Sequence, residues 1–196
     1  MHAGPFIEQE VEANGKLRLF SLYVDFAASV HARWAATTVT KLAGPRWKTS
    51  VEMWNLDSLG NSQQLRQITI QEAGDADVLI IALSSLDRRE PKLIEWLDAV
   101  SAGKGDRPGS GLFISLLGDE EHEADELGWT VNQFMRCAQR MGRDFIWHWL
   151  GRGAVNDTAC LNDSVEKFLS RKQSRFNMAW NQETPLVRQM NVRSRV

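Results

Sequence analysis

Cysteine is nearly absent from this chain, with two in 196 residues, Cys137 and Cys160. Two thiols so far apart in sequence make neither a disulfide framework nor the paired spacing of a structural metal site, and a cytoplasmic chain with reduced thiols is expected. No apolar run approaches the roughly 20 residues that a helix needs to cross a bilayer, so no membrane partner is expected. Residues 1–16 are polar and carry Glu8, Glu10 and Glu12. They lack a basic start leading into an apolar core, so a secretory leader is not expected. Neither sign of charge dominates: the formal net charge is -2 and the pI is near 6.1, which gives nucleic acid no general attraction.

Glycine is missing where two common nucleotide sites require it. A dinucleotide fold needs glycines in the first strand-to-helix turn, and a phosphate-binding loop needs Gly-Lys-Ser/Thr there. Between Tyr23 and Leu42 there is none, which excludes both. A flavin-phosphate loop would need several hydroxyls or small residues in the same turn, and Ser29 alone serves poorly. The glycine-rich stretch Gly103–Gly111 falls between a helix and a strand, at the amino ends of the strands. It reads as a flexible connection.

What the chain does have is alternation. Asp75–Ser85 contains an unbroken apolar core, Val78–Leu83, bounded by acids and hydroxyls. Such a run reads as a strand buried on both faces, the mark of a parallel sheet covered by helices. Leu17–Val24, Thr49–Trp54, Gly111–Leu117 and Phe145–Leu150 read as four more strands. Between them, Phe26, Val30, Trp34, Thr38 and Leu42 recur every four residues as a helical stripe ending at Gly44-Pro45. Asn61 or Ser62 caps a second helix through Ala73, and Pro91 opens a third with Leu93, Ile94, Leu97 and Val100 inward. A fourth carries Leu127, Val131, Phe134, Met135, Ala138 and Met141, and a fifth is capped by Asp163-Ser164.

This pattern predicts an α/β fold: a three-layer, doubly wound, parallel five-stranded sheet with right-handed crossovers and the flavodoxin-like order 2-1-3-4-5. The expected organisation is an N-terminal extension (1–16), the α/β domain (17–172) and a basic C-terminal arm (173–196). Residues 171–196 carry about five net positive charges.

Ligands of open parallel sheets bind beyond the carboxyl ends of the strands. That rule selects Asp25, Asn55, Asp57, Ser84, Ser85, the stretch Gly118–Glu121 with Asp119 in it, and Gly151-Arg152, an acidic and hydroxylic rim that suits a cation or a neutral polar group. No cofactor is named by these residues. The run Asp119–Glu126 combines carboxylates with His122, but neighbours in one loop cannot all turn to one ion, so a solvated loop capping the next helix is expected and no metal site. His148, between two tryptophans on a strand, reads as a core or edge imidazole. Of eight tryptophans, Trp34 lies on an apolar stripe. Trp96 and Trp129 lie off theirs and are expected to face a partner, either a second copy or another protein.

Two resemblances attach to these residues. Over residues 17–172 the alternation resembles the receiver domain of response regulators. Asp25 would match one of that family's acids and Ser115 lies on the fourth strand. Ser84-Ser85 stand where the phospho-acceptor aspartate would be, and Gly151 stands where a lysine follows the fifth strand. Over Phe20–Leu117 the segments Trp54–Gly60 and Ile80–Ser84 resemble those of a TIR domain, whose NAD-cleaving members carry a glutamate near the position of Glu95. The expected function is thus a non-catalytic, receiver-like signalling or protein-interaction module. The alternative is a TIR-like NAD-cleaving enzyme using Glu95, or a small-ligand-binding domain using the rim.

Overall fold

Every residue of Val78–Leu83, the strand β3, is buried, as a run apolar on both faces requires once helices cover both sides. The computed structural model describes residues 15–60, 62–84, 90–103, 111–118, 124–150 and 158–183. In it β3 pairs in parallel with β1 (Gly15–Tyr23) and β4 (Gly111–Leu117), while β2 (Trp47–Asn55) and β5 (Arg143–Trp149) form the edges. The order is β2-β1-β3-β4-β5, the flavodoxin-like order expected. The helices are α1 (Phe26–Ala43), a short α2 (Leu56–Gly60), α3 (Gln63–Asp75), α4 (Glu90–Ala102), α5 (Ala124–Arg140) and α6 (Thr158–Glu183).

The register fixes which residues share a face. Phe20, Leu79, Phe113 and Phe145 align across four strands. Phe20 stacks on Trp96 of α4 at 5.7 Å, and Phe113 meets Phe134 of α5 at 6.0 Å, so this face carries α4 and α5, with α3 beside α4. His148 has the opposite parity and stacks on Trp34 of α1 at 5.8 Å. That face carries α1 and α6, which also pack on each other.

The expected stripe on α1 is corrected. Its buried residues are Ala28, Ala32, Ala35, Ala36, Val39 and Ala43, whereas Phe26 and Val30 are exposed. A spacing of four advances about 40° per step around a helix, so five such residues walk off any one face. The alanines repeat at the true helical period and, being small, let α1 lie close over β1 and β3. Gly44, at φ +63°, closes the helix with its N–H on Thr40 O, a conformation that favours glycine. Ser62 caps α3 by accepting the Leu65 N–H at 3.3 Å, as one of the two expected caps. The last helix begins at Thr158, not at the expected Asp163-Ser164 cap. It runs unbroken to Glu183, so the expected boundary at 172 falls inside a helix.

The amino edge of the sheet is held by charge. Asp77, between α3 and β3, exchanges backbone hydrogen bonds with Arg18 and Leu112 and accepts the Arg18 N–H on its side chain at 2.8 Å. Its other oxygen pairs with Lys172 of α6, whose ammonium lies 5.8 Å from the Trp47 ring centroid. Arg143, buried at the start of β5, donates through Nη2 to Ala73 O and Ala76 O, each at 2.8 Å. These are carbonyls that the end of α3 leaves without partners. Burial pushes the Arg143 guanidinium down to about 10, opposed by nearby Asp77, so it stays protonated at neutral pH.

Arg143→Leu leaves those carbonyls buried and unpaired and is expected to cost about 3 kcal/mol in denaturant melts. Arg171→Ala, which removes an exposed pair with Asp144, is expected to cost less than about 1 kcal/mol. Equal losses in the two variants would refute this account of the amino edge.

Candidate functional site

The strand order reverses between β1 and β3, and in doubly wound sheets the crevice beyond the carboxyl ends at that point is where ligands sit. β1 leads through Val24 into Asp25, whose extended backbone (φ -152°, ψ -174°) makes it the N-cap of α1. One carboxylate oxygen accepts the Ala28 N–H at 2.8 Å. The other accepts the hydroxyl of Ser84, the first residue past β3. Thus two side chains 59 positions apart meet across the switch point and bridge it.

Ser84 is also held from behind. Gly118, the residue after β4, donates its N–H to Leu83 O. A Cβ built on Gly118 would lie 2.6 Å from both Ser84 Cα and Ser84 O. Only a residue without a side chain lets the two strand ends approach this closely.

Asn55, the last residue of β2, reaches across to β1: its amide donates to Val24 O at 3.4 Å and its carbonyl accepts the Asp57 N–H at 2.8 Å. Asn55 thereby ties the start of α2 to the end of β1, and Asp57 stays exposed. Of the rim expected from sequence, Asp25, Asn55 and Ser84 come together, with Asp57 beside them. Ser85, Asp119–Glu121 and Gly151-Arg152 lie outside the described residues. Gly118 lies on the expected rim, and the structure adds its close approach to Ser84. Sequence reasoning missed Phe26 as a rim residue; it follows the cap and is 84% exposed at the mouth of the turn. Trp149 ends β5 half-buried, in register with Leu117.

The remaining expected site residues fall elsewhere. Glu95 is 68% exposed on α4 and pairs with Arg66 of α3 at 3.5 Å, on the outer surface. The expectation that Trp96 faces a partner is corrected. It is 1% exposed, stacked on Phe20, and donates its indole N–H to Thr69 at 3.2 Å. The inward face of α4 is wide enough to hold Leu93, Trp96, Leu97 and Val100 together. Trp129 is 50% exposed. Burial pushes the Cys137 thiol up, against the pull of Arg140, away from the reactive thiolate form. Among the described residues no group of His, Cys, Asp and Glu is placed to hold a metal ion, and no helix is long and apolar enough to cross a membrane.

No family model matches the chain, and no curated protein matches its sequence. Solved structures share its fold. A short-chain flavodoxin associated with a non-canonical PDU bacterial microcompartment aligns over 80% of this chain and 99% of its own, with a TM-score of 0.52 at 11% identity. An oxidoreductase from Corynebacterium diphtheriae aligns over 81% and 96% with a TM-score of 0.52 at 12% identity. An NADH:FMN oxidoreductase in its apo form aligns over 79% and 89% with a TM-score of 0.51 at 13% identity. The chain therefore has a flavodoxin-like α/β fold.

These matches overturn the expectation of a non-catalytic, receiver-like signalling or interaction module. The chains that share the architecture are a flavodoxin and oxidoreductases, and no receiver or TIR likeness is among these matches. Physically, the acceptor position holds Ser84, bonded to Asp25, and the glutamate of the TIR-like alternative is turned to solvent.

A concavity of about 340 Å³ opens away from this site, between β2 and α3, and is lined by Arg18, Ser50, Glu52, Ile68, Glu72 and Asp75. Burial, then the charge of Glu52, raise the Glu72 carboxyl above its ordinary range, and the Trp54 indole pulls it back in part. That indole N–H and Glu72 Oε2 are both buried without completing a hydrogen bond. A raised folded-state value means that ionised Glu72 opposes folding at neutral pH, and that the penalty fades as pH falls through the raised value toward 4.5.

Glu72→Gln is expected to raise the melting temperature at pH 7 and to leave it unchanged at about pH 4. A gain of the same size at both pH values would show that charge is not the cause. At the switch point, Gly118→Ala is expected to cost about 2 kcal/mol in denaturant melts, because backbone rather than a flexible side chain must move. A neutral result would mean that the ends of β3 and β4 are not locked.

Proposed function

We propose that this chain binds a planar, flavin-class ring at the carboxyl edge of its sheet and serves in oxidation-reduction, as the names of its structural neighbours say of those proteins. The observation that carries this reading is the meeting of Asp25 and Ser84 at the switch point of a fold shared with a short-chain flavodoxin over 99% of that chain. In flavodoxins, which have this strand order, FMN lies in the same β1/β3 crevice. Phe26, exposed beside that crevice, offers a ring face against which a planar ligand stacks. Trp149 supplies a second aromatic on the same rim.

FMN divides into a ring that this rim accommodates and a phosphate that it does not. A phosphate at the start of α1 needs free backbone N–H groups and no competing anion. Here the Ala28 N–H is bonded to the carboxylate of Asp25, and the same carboxylate places like charge where the phosphate would lie. The chain's own residues therefore supply aromatic faces, the Ser84 hydroxyl and the Asn55 amide, and they close the turn to anions. Both cysteines are free, in keeping with a cytoplasmic setting.

The test is a fluorescence titration of riboflavin with the purified protein at pH 7. Saturable quenching is expected, weakened about tenfold in Phe26→Ala by loss of the stacking face. Riboflavin fluorescence left unchanged up to about 100 µM protein, a binding free energy weaker than about 5.5 kcal/mol, would sink the proposal.

A further inference from the structure

The geometry points to a site that selects against phosphate: we infer that Asp25 makes this crevice accept a ring compound bearing a neutral hydroxylated chain and reject its phosphorylated counterpart. The inference rests on the flavin-class reading above and names the ligand class for the same site.

Two observations carry it. First, the carboxylate of Asp25 occupies the position at the head of α1 that an anion would take, with one oxygen on the Ala28 N–H at 2.8 Å. The positive end of the helix dipole is thereby neutralised from within the chain. Second, the other oxygen is held by the Ser84 hydroxyl. Ser84 is in turn backed by Gly118, where even a Cβ would lie 2.6 Å from its Cα and O. The carboxylate is therefore pinned across the crevice and cannot swing aside for a phosphate without breaking both bonds.

Each carboxylate oxygen has a second lone pair to offer. Hydroxyl groups of a neutral chain donate to such an oxygen, whereas a phosphate dianion only accepts and meets like charge at contact distance. At an effective dielectric constant of about 20, two unit charges about 4 Å apart repel strongly enough that a discrimination of at least tenfold follows even after screening.

The experiment compares riboflavin and FMN on the full chain, by fluorescence quenching at fixed ionic strength, in the wild type, in Asp25→Ser and in Asp25→Asn. Serine keeps a helix cap and opens the space, while asparagine keeps cap and volume and removes only the charge, so one of the two remains informative if the other folds poorly. The wild type is expected to bind riboflavin at least about tenfold tighter than FMN, and both variants to narrow that ratio, Asp25→Ser the more. FMN bound as tightly as riboflavin by the wild type overturns the inference. So does a ratio that neither variant moves.

A second arm separates this inference from the flavin reading. Thermal melts are run in inorganic phosphate and in chloride of equal ionic strength. If neither flavin binds any of the proteins, the flavin-class reading fails and the phosphate arm alone decides. Phosphate that raises the melting temperature of Asp25→Ser but not of the wild type upholds exclusion by Asp25. Phosphate that stabilises both alike, or neither, overturns it.

Discussion

Parallel strands whose central members, β3 and β4, are buried on both faces can be joined only by crossovers that carry cover, and the rest of this structure follows from that constraint. β3 has no residue that meets water, so helices must lie on both sides of it. The handedness of the crossovers then sets the order β2-β1-β3-β4-β5. Once the order is set, one place on the carboxyl edge lies between strands whose helices depart to opposite faces. α1 leaves β1 for one side and α4 follows β3 on the other. Asp25 and Ser84 stand at that divergence because the chain has nowhere else to part.

The two edges of the sheet are held in different ways. At the amino edge, where strands begin and α3 and α6 end or pass, full charges do the binding. Asp77 draws together β1, β4 and α6, and buried Arg143 satisfies the last carbonyls of α3. At the carboxyl edge the contacts are a carboxylate on a hydroxyl, an amide on a carbonyl, and a glycine against backbone. The first edge is a lock, since buried Arg143 ties β5 to the end of α3 and a buried ion is costly to disturb. The second is close-packed but electrically light, which leaves a rim to which a small polar ligand can add hydrogen bonds without displacing an ion pair.

Most of the fold was legible because burial on both faces leaves a pattern that needs no partner to read. The six apolar residues of β3 and the strands spaced around it pointed directly to the order. What was not legible depends on distance between elements. A stripe of large residues on α1 looked like the buried face, but the sheet lies close enough that alanines fill most of it, beside Val39, and Phe26 and Val30 were left outside. Trp96 looked surplus on a helix face already filled. Thr69, 27 positions away, gives its indole N–H a buried partner, and Phe20 gives its ring a surface. Arg143, at the head of an apolar strand, carried no signal at all, since its partners are the carbonyls of Ala73 and Ala76, which no side-chain pattern announces.

The site shows the same division, and it explains why the sequence pointed to the wrong function. The topological rule brought Asp25, Asn55 and Ser84 into one list, and the structure brings them into one place. The absence of glycines in the turn after the first strand, with Ser29 its lone hydroxyl, was a sign that no phosphate is cradled there, and the error lay in passing from a missing phosphate cradle to a receiver-like signalling module. A helix N-terminus that is not offered to an anion must be satisfied from within, and Asp25 does this while reaching the far side of the switch point through Ser84. The residue that stands where the familiar signature would be is thus the same one that joins β1 to β3 across the switch point, and in the function proposed above the missing motif describes what the ligand lacks.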